Sequence, residues 1–121
     1  MPYQINLKTF TDARGNLTVI ERVLPFDIKR IFYIYGVDNS VRGKHRHRCT
    51  TQAAICIVGS CCIFTKTSDG SESFALDSPD KCLILLPEDW HSMDQFSNNA
   101  ILMVLASHYF DPGDYIFEPY E

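Results

Sequence analysis

The stretch Lys81-Cys82-Leu83-Ile84-Leu85-Leu86-Pro87 is uninterruptedly apolar from Cys82 to Leu86 and stops at a proline. Such a run is either a buried strand or a piece of buried helix, and periodicity alone does not separate the two. Its shortness and the proline decide for a strand, because proline has no N–H with which to continue a ladder. Ala100-Ile101-Leu102-Met103-Val104-Leu105-Ala106 reads the same way. Working outward, Ala53-Ala54-Ile55-Cys56-Ile57-Val58 ends at Gly59. Cys61-Cys62-Ile63-Phe64-Thr65-Lys66 leads into the hairpin signal Ser68-Asp69-Gly70, and Ser73 to Leu76 returns. Upstream, Arg30-Ile31-Phe32-Tyr33-Ile34-Tyr35 is rich in β-branched and aromatic residues, and Leu17 to Val23 alternates at its centre. Asp12-Ala13-Arg14-Gly15-Asn16 is a turn between the first two strands. Turn signals spaced about 8–12 residues apart, with no sustained helical period, predict an all-β sandwich or barrel. No linker, low-complexity tract or repeat divides the chain, so residues 1–121 are expected to form one domain.

Composition narrows the functional class. The net charge of −4 argues against a nucleic-acid binder, which would carry a basic face. A local basic cluster, Arg42, Lys44, Arg46 and Arg48, suits a small anionic ligand instead. No apolar stretch approaches the ~20 residues needed to span a bilayer, so no membrane association is expected. Met1-Pro2-Tyr3-Gln4 has no basic-then-apolar order, so it does not read as a signal peptide. The five cysteines (49, 56, 61, 62, 82) are odd in number and lack Cys-x-x-Cys spacing, against a disulfide framework or a zinc site. They read as reduced thiols, which fits a cytoplasmic protein.

The chemistry concentrates at His45-Arg46-His47. Residues two apart on a strand share a face, so the two imidazoles point the same way. A lone His-x-His is equally an ordinary half-buried pair. The surrounding order strengthens it: Tyr33, Tyr35, Arg42 and Gln52 are polar groups on neighbouring strands, which converge if the sheet closes. Imidazole titrates near neutrality and can both take and give a proton. Nearby cations would favour its neutral form and attract an anion such as a diphosphate. Trp90, in Pro87-Glu88-Asp89-Trp90-His91, either plugs the core or lines the ligand mouth. Asp111 to Tyr115 reads as a turn, with tyrosines that could dock the tail on a neighbouring subunit.

Leu24-Pro25-Phe26-Asp27-Ile28-Lys29-Arg30-Ile31-Phe32-Tyr33-Ile34-Tyr35, followed by Arg42-Gly43-x-His45-x-His47, resembles the WxcM-like cupins. The resemblance extends to Asp12-x-Arg14-Gly15-x-Leu17, Gly59-Ser60, Leu83 to Pro87 with Trp90, and Val104 to Asp111. It implies a cupin jelly-roll β-barrel and a homodimer formed by exchanging N-terminal strands. It also implies a dTDP-linked 4-keto-6-deoxyhexose substrate isomerised to the 3-keto sugar, with His45 and His47 catalytic and no metal or other cofactor. Tyr33, Tyr35, Arg42, Gln52 and Trp90 are then candidate substrate-binding residues. The residue between the family's histidines is commonly small, whereas here it is Arg46; alternation turns it away from the pocket. In metal-binding cupins a Glu follows the His-x-His and a third His comes later. Gln52 stands at the Glu position here, and neutral Gln is a poor ligand for a divalent ion. Two rival readings stay open: a non-catalytic sugar-nucleotide binding module, and a metal-dependent cupin using His45, His47 and His91.

Overall fold

The computed structural model describes residues 1–120. Among these the regular elements are strands, apart from one short 3-10 turn at Pro112–Asp114. In chain order the strands are β1 (Tyr3–Asn6), β2 (Lys8–Asp12), β3 (Gly15–Val19), β4 (Arg30–Ile34), β5 (Arg42–His47) and β6 (Gln52–Val58). They continue with β7 (Cys61–Thr67), β8 (Gly70–Leu76), β9 (Lys81–Leu85), β10 (Trp90–Asp94), β11 (Ile101–Ala106) and β12 (Tyr115–Ile116). The expected all-β chain and the strands around 30–35, 53–58, 61–66, 81–86 and 100–106 are all found. The sequence reading assigns no strand to 90–94 or 115–116, and both lie in the sheet that carries the histidines. No helix among the described residues is long and apolar enough to cross a membrane.

The strands form two five-stranded antiparallel sheets, in the orders β1-β9-β6-β11-β4 and β12-β5-β10-β7-β8. The β2–β3 ribbon forms a separate two-stranded sheet. The two large sheets face each other as a jelly-roll sandwich and do not close through hydrogen bonds into the continuous barrel expected. Between them lies an apolar layer with Ala54, Cys56, Leu83, Leu85, Leu102 and Val104 from one sheet and Cys61, Ile63, Leu76 and Met93 from the other. The first sheet buries its other face too. Ala53, Ile55, Cys82, Ile84 and Leu105 form a second layer, covered by Ile20, Leu24 and Phe26. This double burial explains why the runs at 82–86 and 100–106 do not alternate: both faces of those strands are core.

Candidate active site

Strand β5 is bent where it meets β10. Gly43 has φ 84° and Lys44 φ 62°, two consecutive left-handed residues. A Cβ on Gly43 would stand 3.1 Å from the His91 carbonyl oxygen, so the close approach of the strands needs glycine there. The register pairs His91 with His45 and Ser92 with Gly43, with an irregularity between His91 and Ser92. By alternation His45, His47 and His91 face the interior. Their rings cluster: His45 lies 5.0 Å from His47 and 4.9 Å from His91, centroid to centroid. The cluster contains the expected pair and adds His91.

Two of the rings are held from behind. His47 Nδ1 lies 2.8 Å from Asp114 Oδ2, and both residues are buried. The Asp114 carboxylate also accepts from the Thr50 hydroxyl and from the backbone N–H groups of Arg48 and Cys49. His91 Nδ1 lies 3.0 Å from the Asp89 carbonyl oxygen. A carboxylate and a carbonyl only accept, so in the neutral rings Nδ1 carries the hydrogen and Nε2 keeps its lone pair. Neither Nε2 has a protein hydrogen-bond partner. Burial pushes the His45 pKa below the usual histidine value, helped by neighbouring His47 and opposed by a bond to the Gly43 carbonyl. Burial also pulls His47 down, against the Asp114 carboxylate. His91, wholly enclosed, is pushed to about 3. The result is a set of neutral imidazoles suited to accepting protons. Burial, rather than the basic run at 42–48, is the main cause.

His45 opens onto a cavity of about 300 Å3 whose lining includes Arg30, Phe32, Arg42, Gln52, Met93 and Tyr115. Gln52 is buried, with its carbonyl oxygen unpartnered. Thus Arg42, His45 and Gln52 come together as expected, with His47 directly behind. Of the other expected ligand-binding residues, Tyr33 reaches the cavity wall, whereas Tyr35 and Trp90 do not. Tyr33 borders the cavity, but its ring and that of Tyr35 stack on each other 5.8 Å apart and stay 63% and 67% exposed. They stand on the outer side of β4, because Arg30, Phe32 and Ile34 take the inward positions. Trp90 alternates with inward His91 and so faces outward. It packs on Phe64 and donates from Nε1 to the Phe117 carbonyl, neither plugging the core nor lining the cavity. Arg46 is also outward, its guanidinium 4.2 Å from the Tyr120 ring centroid.

Sequence reasoning missed three contributors. Arg30 brings a cation to the inward face of an otherwise apolar strand, and that anomaly was readable in Arg30-x-Phe32-x-Ile34. Asp114 is 67 residues from His47, so no local spacing could pair them. Tyr115 lies opposite His47 in the β12–β5 pairing, with its ring 4.7 Å from His45 and 4.8 Å from His47. Within this chain the tail docks on the histidines through Asp114 and Tyr115. As for a metal, the nearest ligand nitrogens of His45, His47 and His91 lie within 4.8 Å of one another. They could hold a cation, with Gln52 supplying no charge.

A jelly-roll sandwich with an inward imidazole cluster at one end defines a cupin-type protein. More narrowly, the WxcM-like, C-terminal family model (FdtA) matches residues 3–121, and the chain belongs to that family. It is 40% identical over 115 residues to the TDP-4-oxo-6-deoxy-alpha-D-glucose-3,4-oxoisomerase of Aneurinibacillus thermoaerophilus, covering 93% of this chain and 83% of the relative. Among solved structures it resembles a mutant of the 3,4-ketoisomerase QdtA from Thermoanaerobacterium thermosaccharolyticum in complex with TDP-4-keto-6-deoxyglucose. The TM-score is 0.93 at 38% identity, over 97% of this chain and 87% of that one. It also resembles the TDP-quinovose 3,4-ketoisomerase WlaRB of Campylobacter jejuni, with TM-score 0.92 and 37% identity over 97% and 92% of the two chains.

Proposed function

We propose that this protein is a TDP-sugar 3,4-ketoisomerase, converting a TDP-4-keto-6-deoxyhexose to its 3-keto isomer, with residues 1–121 acting as one catalytic domain. The observation that carries the reading is the inward His45–His47 pair at the cavity, in a chain similar over nearly its whole length to such isomerases. The C4 ketone acidifies the hydrogen on C3. His45, the imidazole bordering the cavity, removes that proton, and the electron pair forms an enediolate across C3 and C4. The O3 proton passes to O4, and the proton held by His45 is delivered to C4 as the C3 carbonyl forms. Arg30 and Arg42 supply positive charge for the enediolate oxygen or the diphosphate. Gln52 offers an amide to the sugar hydroxyls.

The β2–β3 ribbon supports a homodimer. It leaves Phe10 53% and Leu17 60% exposed, and a lone two-stranded ribbon is marginal in water. The pairing of Tyr3 with Ile84 is one that an exchanged β1 would make equally with a partner's β9. Sedimentation at micromolar concentration should give a dimer, and a compact monomer would count against this.

The deciding experiment is incubation with TDP-4-keto-6-deoxyglucose in D₂O, with the product followed by NMR. A 3-keto product is expected, in untreated and in exhaustively chelated protein alike. Binding without conversion would favour the binding-module reading. Loss of turnover on chelation, restored by one divalent ion, would favour the metal-dependent reading of His45, His47 and His91.

A further inference from the structure

We propose that Asp114, carried on the C-terminal segment, is a positioning residue that makes His47 the acceptor for the hydroxyl proton, leaving the carbon-bound proton to His45. This rests on the ketoisomerase reading above. That reaction moves two protons, one between carbons and one between oxygens, and a single imidazole occupied by the first is not free for the second. In the enediolate the O3–H proton goes to His47 Nε2, which becomes imidazolium, and then to O4. The O3 electron pair becomes the C3 carbonyl as C4 takes the proton from His45. Atoms and charge balance, and both imidazoles end neutral.

The geometry assigns this second task to His47. His45 opens on the cavity. His47 lies behind it at 5.0 Å on the same strand face, with Nε2 unpartnered. A ring so buried resists taking up a charge, and Asp114 answers that resistance with a carboxylate 2.8 Å from Nδ1. Asp114 in turn has little freedom. Thr50, Arg48 and Cys49 bind it, and the Asp114 carbonyl accepts from the Arg48 N–H. Its place after Pro112-Gly113 lets the 3-10 turn deliver the carboxylate and β12 then pair along β5. The tail thus works as a catalytic support as well as a closure.

The test is Asp114→Asn in the full chain. An amide can donate to Nδ1 and move the ring hydrogen to Nε2. In another His–Asp pair that inversion cost about 10⁴ in kcat with the geometry intact. Here kcat should fall on the order of 10²–10³, with KM within about threefold, because no substrate contact is lost. Removing the anion should also move the acid limb of the kcat profile to lower pH. Tyr120→Phe loosens the same tail at its Glu88 bond without touching Asp114, and should leave kcat within about threefold. Equal losses in both variants would make Asp114 merely structural. Nitrogen NMR of the wild-type imidazoles gives an arm independent of turnover and of the variant's folding. His47 should hold its hydrogen on Nδ1; finding it on Nε2 would overturn the proposal. If wild-type protein shows the Nδ1 tautomer and yet converts no TDP-4-keto sugar, the ketoisomerase reading fails and the proton assignment falls with it, while the Asp114 contact stands. If the sugar is converted and Asp114→Asn retains wild-type kcat, the proposal alone fails.

Discussion

The two facing sheets solve different problems with the same kind of strand. In the first, β6, β9 and β11 are apolar on both faces, and Ile55, Leu83, Ile84, Leu102 and Val104 are almost completely enclosed. In the second, β5 and β10 carry three imidazoles inward, with left-handed backbone at Gly43 and Lys44 and an irregular register at His91. The first sheet gains its stability from area removed from water, roughly 25 cal/mol for each Å2 of apolar surface. The second gives up some of that gain to bury neutral rings, and the Nε2 atoms of His47 and His91 lack protein partners. Polar burial of this kind costs stability and is tolerated where chemistry needs it. One sheet is a wall and the other is a site mounted against it, so substitutions in the two should fail in different ways.

The largest effect expected is on turnover. His45→Asn should lower kcat by a factor on the order of 10²–10⁴, as for loss of a general acid or base, with nucleotide affinity and melting temperature little changed. Wild-type turnover in this variant would mean that the second sheet is structural as well. The converse variant is Leu102→Ala in the wall. It should cost roughly 2–5 kcal/mol of stability, because the enclosed site cannot collapse to fill the void. Turnover per folded molecule should remain near wild type, as equilibrium denaturation paired with activity on the folded fraction would show.

The contrast also explains what the sequence made legible. The wall was readable because burial on both faces leaves continuous apolar runs, and those at 81–86 and 100–106 end close to where their strands end. The site was half readable. His45, His47 and Gln52 announce themselves through alternation along single strands, and Arg42 sits at the start of the same one. Tyr35 and Trp90 alternate with inward neighbours and face out, while Tyr33, in the same phase as Tyr35, reaches only the border of the cavity. Asp114 and Tyr115 were illegible for another reason. Their relation to His47 is a pairing between β5 and the chain's last strand, and Asp111-Pro112-Gly113 signals only a turn. Sequence distance hides what the sheet brings together.

A smaller effect separates the sheets by pH. Burial pushes the His91 pKa down to about 3 in the fold, from about 6.5 in an unfolded chain. Between those values the unfolded state binds a proton that the folded state refuses. Stability should therefore fall as pH drops from about 6.5 toward 3, with a slope up to about 1.36 kcal/mol per pH unit from this group. His45 and His47 are shifted in the same direction and add to the trend. Urea midpoints at pH 7 and pH 4 measure it. His91→Gln should be less pH-sensitive than wild type, whatever its absolute stability. An unchanged slope would mean that His91 accepts its proton inside the fold.

The smallest effect tests the phase of β5 itself. Arg46 stands between the two histidines, and strand alternation turns it away from the pocket. Its guanidinium lies over Tyr120 on the outer side of the sheet, and β12 passes beside it with Ile116 opposite. Removing the side chain should forfeit only a cation–π contact worth about 0.5–1 kcal/mol at a partly exposed position. Arg46→Ala should thus lower the denaturation midpoint slightly and leave kcat and KM within about twofold, because no group in the cavity changes. A rise in KM beyond tenfold would place Arg46 on the substrate's diphosphate. That result would also require β5 to turn by one residue in solution and carry both histidines out of the cavity. It would then conflict with a loss of turnover in His45→Asn, so the two variants measured together fix which face of β5 holds the chemistry.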